Sequence, residues 1–270
     1  MTAEIVERVL RSRRYHDVDP ALVHRLAEEE LVRARNTDDA VKRVKRRLHQ
    51  AVGAFRGERP SDPLAAIRAA WVGDLASPAF RDATADALAT HASTRERLPD
   101  LPSFYPPIWD VTGRPARVLD IGCGLGPLGL PWMGLDTTAI YDAVDADRRP
   151  LDTVAAFLDL VGQPHRVEAR DAAAEPPFEP ADVALLLKLV TTLDRQGGRA
   201  AERLLDRLPV RYAVVTFTRR SLGGRGRGME RTYRARLDTL VERVPRVREV
   251  TERSVPSELV FVLALGPPDG

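Results

Sequence analysis

Cysteine occurs once in this chain of 270 residues, at Cys123. Neither a disulfide framework nor a cysteine-based zinc site can be built from it. Long apolar runs are missing too, since nothing approaches the roughly 18 residues that suggest a membrane span. The start, Met1-Thr2-Ala3-Glu4, has no basic segment leading into an apolar one, so a secretory signal is not expected. Lysine is confined to positions 42, 45 and 188. Nearly every cation is therefore arginine, a bias that a GC-rich genome produces as readily as any demand for guanidinium chemistry. Internal repeats and low-complexity segments are absent. What remains is the expectation of a soluble, cytoplasmic protein, long enough for one large α/β domain with a smaller module.

The formal net charge is only +2, but it is unevenly spread. Residues 1–60 hold fourteen Arg and Lys against ten Asp and Glu, and residues 219–236 hold seven Arg against one Glu. Two basic zones in an otherwise acidic chain are the footprint expected where phosphates are neutralised. A solvated surface would account for the first zone equally well.

The first part of the chain reads as helical. Leu22 and Leu26 follow Pro20 at helical spacing, with Glu28-Glu29-Glu30 beside them. Thr37-Asp38-Asp39 supplies cap-type residues before Val41, Val44 and Leu48, which mark one apolar stripe. Lys42, Arg43, Lys45, Arg46 and Arg47 populate the other faces of that helix. It can bury one side and offer cations to a partner with the other. Further helices are expected from Pro63 to Trp71 and from Pro78 to Arg97, and prolines punctuate 99–107, after which another can begin near Ile108. Two domains are expected, a helical one over 1–98 and a second over 99–270.

Beyond that boundary strands alternate with helices. Strands are expected at Arg117–Ile121, Ile140–Val144, about 165–170, Val183–Leu187 and Tyr212–Phe217, with a helix over 151–161. Two closing strands near 247–254 and 258–264 suit a hairpin at a sheet edge. Alternation of this kind implies a largely parallel sheet, hence an α/β fold.

The first of these strands runs into Asp120-Ile121-Gly122-Cys123-Gly124-Leu125-Gly126. Gly124-Leu-Gly126-Pro-Leu-Gly129 satisfies the dinucleotide pattern G-x-G-x-x-G, by itself a weak match. Read from Asp120, the segment instead fits the loop with which class I methyltransferases hold S-adenosylmethionine (SAM). An acid at that position can hold an ammonium group, whereas it would repel a pyrophosphate. Asp145 ends the second strand, placed for the ribose hydroxyls, and Asp171 ends the third, within reach of an adenine amino group. Each acid alone would serve as a helix cap. Together, at successive strand ends, they make a SAM site in a Rossmann-like sheet.

The acceptor is narrowed by what is missing. Methylation of exocyclic amino groups goes with Asn/Asp-Pro-Pro-aromatic after the fourth strand, where this chain reads Leu185-Leu186-Leu187-Lys188-Leu189. Carbon methylation of pyrimidines needs a thiol nucleophile, and Cys123 sits inside the cofactor loop. An acceptor with an available lone pair remains, such as guanine N7. It requires alignment but no dedicated base. These absences exclude chemistries without selecting N7.

Two more segments, His91-Ala92-Ser93-Thr94-Arg95-Glu96-Arg97-Leu98 and Arg219-Arg220-Ser221-Leu222-Gly223-Gly224-Arg225-Gly226-Arg227-Gly228-Met229-Glu230, bracket the glycine loop and Lys188-Leu189. With them the chain resembles the aminoglycoside-resistance 16S rRNA (guanine(1405)-N7)-methyltransferases over nearly its whole length. The resemblance implies methylation of one decoding-site guanine in the assembled 30S subunit. It also implies resistance to 4,6-disubstituted deoxystreptamines such as kanamycin and gentamicin. The helical N-terminal region would dock on rRNA through Lys42, Arg43, Lys45, Arg46 and Arg47. By position it assigns cofactor contacts to Phe55, His91, Ala92, Ser93, Arg97, Gly122, Asp145, Asp171, Ala172, Leu187 and Gln196, beside Asp120 from the loop itself. Arg97 is expected to pair with the methionine carboxylate. Arg195, Arg220, Arg225 and Met229, with Lys188, are candidates for positioning the target base, and 222–229 is expected to be a mobile glycine-rich loop. No metal is expected, and the protein is expected to be a monomer. Methylation of another rRNA nitrogen, such as adenine N1, and a SAM-binding ribosome assembly factor stand as the alternatives.

Overall fold

The computed structural model describes residues 1–53, 63–173, 178–197, 199–219 and 226–268, with 226 and 227 as backbone only. Three helices open the chain: α1 (Thr2–Leu10), α2 (Pro20–Leu31) and α3 (Thr37–Leu48), followed by a π-helical turn, His49–Gly53. Asp19 caps α2 by accepting from Ala21 N at 3.3 Å, with Pro20 in the first turn. Asn36, one residue before the expected caps, closes the start of α3 by accepting from Asp39 N at 2.9 Å. Ile5 and Val9 of α1, Leu22 and Leu26 of α2, and Val41, Val44 and Leu48 of α3 form a small core of their own.

Short helices follow: α4 (Ala65–Ala70), α5 (Pro78–Ala89), α6 (Ala92–Arg95), α7 (Leu101–Phe104) and α8 (Pro106–Thr112). The helix expected over 78–97 is thus interrupted at Thr90-His91. Then come β1 (Arg117–Ile121), α9 (Leu130–Met133), β2 (Ile140–Asp145), α10 (Arg148–Val161), β3 (His165–Ala169), β4 (Ala181–Leu187), α11 (Leu189–Gln196), α12 (Ala200–Arg207), β5 (Val210–Thr218), α13 (Gly226–Glu242), β6 (Val247–Glu252) and β7 (Glu258–Leu265).

The seven strands form one sheet in the order β3-β2-β1-β4-β5-β7-β6. All neighbours are parallel except β7, which runs antiparallel to both β5 and β6. The expected closing hairpin is present, but its second strand is the inner one. Burial explains the order: Glu258–Leu263 is buried throughout, whereas β6 is mostly exposed and charged, as befits an edge. Strand alternation sorts the cores. Val118, Val183, Leu185, Val214 and Val262 face Phe80, Phe104, Ile108 and Phe157 on one side. Leu119, Ile121, Leu186, Val215 and Phe261 face Leu193, Leu205, Leu237 and Leu240 on the other. This is the three-layer fold of class I methyltransferases, carrying an extra helical unit.

The division expected at 98/99 does not coincide with the division of the core. Residues 5–52 share the small core, while Leu64, Ile67, Phe80 and Leu88 already pack against the sheet. Proline and charge patterns near residue 100 mark a change of secondary structure, not of packing partner. The small unit is stitched to the sheet through Asp19 N to Ala146 O at 2.8 Å and a bridge between Val18 and Asp147.

Candidate active site

A cleft opens where the strand order reverses between β1 and β4, at the carboxyl ends of the strands, the usual ligand position in an open α/β sheet. It encloses about 780 Å³ of non-protein space open to solvent. Gly122 and Gly124 form one wall with left-handed backbones, φ +68° and +51°. A Cβ at Gly122 would stand 2.8 Å from Leu189 Cδ1, and one at Gly124 would stand 3.1 Å from His91 Cε1. Both the backbone conformation and the close approach therefore demand glycine.

Asp145 ends β2 and also lines the cleft. Its Oδ2 accepts from Gly124 N and its Oδ1 from Asp147 N, each at 2.8 Å. Burial pushes its carboxyl up to about 6, against the pull of those backbone donors. Asp120 is held differently. Only 1% exposed, it lies beneath the loop, with Oδ2 accepting from Tyr141 Oη at 2.8 Å and Oδ1 without a partner among the described residues. Burial raises it to about 7. Expected to meet a cofactor ammonium, it does not line the cleft but buttresses the loop from beneath.

His91 and Ser93 enter the wall from the start of α6 and are joined by a 2.9 Å bond between Nδ1 and Oγ. Burial lowers the imidazole to about 4, against the pull of Asp147 and with a smaller push from Lys188. It is neutral under physiological conditions. Lys188 has a left-handed backbone, φ 59°, secured by its N–H to Thr216 Oγ1 at 3.0 Å. Its Nζ donates to Ser93 O at 2.8 Å and Glu96 Oε2 at 2.7 Å, and lies 3.3 Å from Glu258 Oε1. Leu187, Ala172 and Gln196 complete the expected lining.

Arg97, expected at the methionine carboxylate, lies behind the cleft. It is 4% exposed and spends Nε and Nη2 on both oxygens of the fully buried Glu258, at 2.9 and 3.0 Å. Burial alone would raise Glu258, but Arg97 and Lys188 outweigh it and hold the carboxyl below its ordinary range. Arg97 thus supports the Lys188 cluster from behind instead of lining the cleft. Ala92 does not line it either. Phe55, Arg220 and Arg225 lie outside the described residues.

The far wall comes from the small helical unit, which the sequence patterns did not place there: Leu22 of α2, with Ala51 and Val52 of the π-helical turn. Arg25 of α2 reaches Asp171 with Nε at 2.7 Å and Nη2 at 3.2 Å, and Gln196 Oε1 with Nη2 at 2.6 Å. Arg47 donates to Gln196 O and to Glu29 and Glu30, and Arg43 to Glu30 at 2.6 Å. These two arginines of α3, expected as rRNA contacts, are tied inward to the acids of α2. Lys42 and Arg46 are exposed and Lys45 half-buried. Arg195 is exposed at the end of α11, and Met229 sits half-buried in α13, not in a loop. The segment expected to be mobile is helical from Gly226, and its part before that residue lies outside the described residues.

The model of the ribosomal RNA methyltransferase (FmrO) family matches residues 11–262. The chain belongs to this family. It is 38% identical over 266 residues to a 16S rRNA (guanine(1405)-N(7))-methyltransferase of Micromonospora echinospora, covering 96% of this chain and 95% of that protein. It is 40% identical over 261 residues to the enzyme of the same description from Frankia casuarinae, covering 95% and 91%. Among solved structures, 16S rRNA methyltransferase RmtF in complex with S-adenosyl-L-homocysteine superposes with a TM-score of 0.80 at 33% identity, covering 98% of each chain. The cofactor of this rRNA methyltransferase is SAM, and the cleft suits it. The two glycines admit a ligand against bare backbone, and Asp145, Asp171 and Gln196 bring polar groups to the same cleft.

Proposed function

We propose that this chain methylates N7 of guanine 1405 in the 16S rRNA of the assembled 30S subunit. It thereby gives resistance to kanamycin, gentamicin and other 4,6-disubstituted deoxystreptamines. The observation that carries this reading is a glycine-walled cleft at the strand ends, in a chain that matches guanine(1405)-N7 enzymes along nearly its whole length.

Bound SAM supplies a methyl group activated by sulfonium. The chain's own work is to bind and align. Asp145 accepts the ribose hydroxyls, Asp171 and Gln196 meet the adenine, and Gly122 and Gly124 let the ligand approach the backbone. His91, neutral with its imidazole near 4, adds no cation beside the sulfonium. The ammonium of Lys188 is balanced by Glu96 and Glu258. Guanine N7 carries its lone pair outward and needs no proton removed, so positioning is the main requirement. Lys42, Lys45 and Arg46 face the rRNA phosphates, and Arg195 and Met229 stand on the target side. The enzyme acts as a monomer without a resident metal. No helix among the described residues is long and apolar enough to cross a membrane, and we place the enzyme in the cytoplasm with its ribosome.

Purified protein, SAM and 30S subunits lacking this methyl group should give 7-methylguanosine at position 1405, read by reverse transcription after cleavage at the modified base. No modification there would overturn the reading. In a sensitive host, protection should cover gentamicin but not apramycin. Protection against both would point to an adenine acceptor.

A further inference from the structure

We infer that Arg25, on the rRNA-docking unit, is a specificity-determining residue of the cofactor site: it sets the hydrogen-bonding polarity with which Asp171 and Gln196 read the adenine edge. The inference rests on the reading of those two residues as the adenine contacts.

Arg25 is far from the cleft residues in sequence, yet its guanidinium spans both of them. Nε and Nη2 donate to the two oxygens of Asp171 at 2.7 and 3.2 Å, and Nη2 also donates to Gln196 Oε1 at 2.6 Å. A side-chain amide can present either its oxygen or its NH2 to a ligand, and the surrounding bonds decide which. With Oε1 claimed by Arg25, Nε2 is the group left for a ligand; it has no hydrogen-bond partner among the described residues. Gln196 is therefore set as a donor. Asp171 Oδ1 accepts from both Arg25 and Ala173 N, whereas Oδ2 accepts from Arg25 alone. A carboxylate oxygen has room for a second donor, so Asp171 is set as an acceptor.

One acceptor beside one donor matches the edge of adenine, where the exocyclic amine donates and N1 accepts. Hypoxanthine reverses both, with O6 accepting and N1–H donating. Arg25 itself is kept in place by Glu29, at 3.0 Å from Nη1. The same Glu29 also takes Arg47 of α3 at 2.6 Å, and Arg47 reaches the carbonyl of Gln196. The amide is thus gripped at side chain and backbone by two arginines of the docking unit. Without Arg25 the amide of Gln196 is free to rotate and offer Oε1, which relieves one of the two mismatches with hypoxanthine.

The test is calorimetric binding of S-adenosylhomocysteine and of its deaminated analogue, S-inosylhomocysteine, to the full chain. The wild-type protein should prefer the adenine ligand by roughly 100-fold or more, because each mismatch leaves buried polar groups unpaired. In Arg25→Lys, which keeps a cation beside Asp171 but cannot span to Gln196, that preference should shrink by about tenfold. Gln196→Met should reduce the preference to a similar extent, and adding Arg25→Lys to it should reduce it little further. An unchanged preference in a folded Arg25→Lys protein would overturn the inference, as would full additivity of the two substitutions. If wild-type protein binds neither ligand, the cofactor reading itself fails, a result distinct from either.

Discussion

Gly122 shows how little room a single residue has here. Its φ of +68° and the 2.8 Å gap to Leu189 Cδ1 mean that alanine would meet both backbone strain and a clash. Gly122→Ala should lower unfolding stability by about 1–3 kcal/mol and weaken S-adenosylhomocysteine binding at least tenfold, by denaturant titration and calorimetry. At Arg97 the penalty has another origin. Arg97→Ala would leave Glu258 buried without its bidentate partner, a loss of about 3–5 kcal/mol, measurable by urea unfolding. Asp145 should make cofactor affinity depend on pH. A carboxyl raised to about 6 loses acceptor capacity as it protonates, so S-adenosylhomocysteine should bind more weakly below that pH, approaching about tenfold per pH unit. Asp145→Asn should bind weakly at every pH, and an equal slope in that variant would contradict the argument. His91, Asp145 and Asp171 were legible in the sequence because strand ends and a family-specific run announce them. Arg25 and Glu258 were not, because their partners lie 146 and 161 residues away and no local pattern marks such a pair.

Among the elements, α3 is the one whose faces the sequence described only halfway. Its apolar stripe is where the spacing put it, but its five cations divide. Arg43 and Arg47 turn to Glu29 and Glu30 on α2, while Lys42 and Arg46 stay in solvent. Paired Lys42→Glu and Arg46→Glu changes should therefore lower 30S affinity by an order of magnitude or more and flatten its salt dependence. Melting temperature and cofactor affinity should hold. Arg43→Ala and Arg47→Ala should instead lower the melting temperature, because Glu30 is 4% exposed and would lose its donors. If all four behaved alike in filter binding and thermal unfolding, the division of the helix would be wrong. The closing hairpin teaches the same lesson. Both strands were expected, but only packing shows that the apolar one must lie beside β5 with the charged one outside.

At the scale of the whole molecule, two sets of carboxylates oppose one another. Asp120 and Asp145 are raised by burial to about 7 and about 6, so the folded state holds protons that the unfolded chain has released. Their ionisation costs stability as pH rises from about 4 to 7. Glu258 and Glu30 are lowered, and Glu252 is lowered to about 2 mainly by Arg234. Their pairing stabilises the fold above the ordinary glutamate range and is lost as pH falls through the depressed values. The cofactor-free protein should consequently melt at a higher temperature near pH 5 than near pH 8. Asp120→Asn should remove most of that difference, which differential scanning calorimetry would record.

By itself the sequence determined the α/β class, the SAM loop, the acids at the strand ends and the family. Those features are local: a burial period along one strand, a glycine that must adopt positive φ, a contiguous run of residues specific to the family. Tertiary structure alone decided which charges meet. It drew Arg97 back to Glu258, turned Arg43 and Arg47 inward, moved the unit boundary ahead of residue 64, and brought Arg25 to the cofactor wall. An arginine in a sequence has a charge and a reach, but its partner is whichever acid the folded chain places within 3 Å or so.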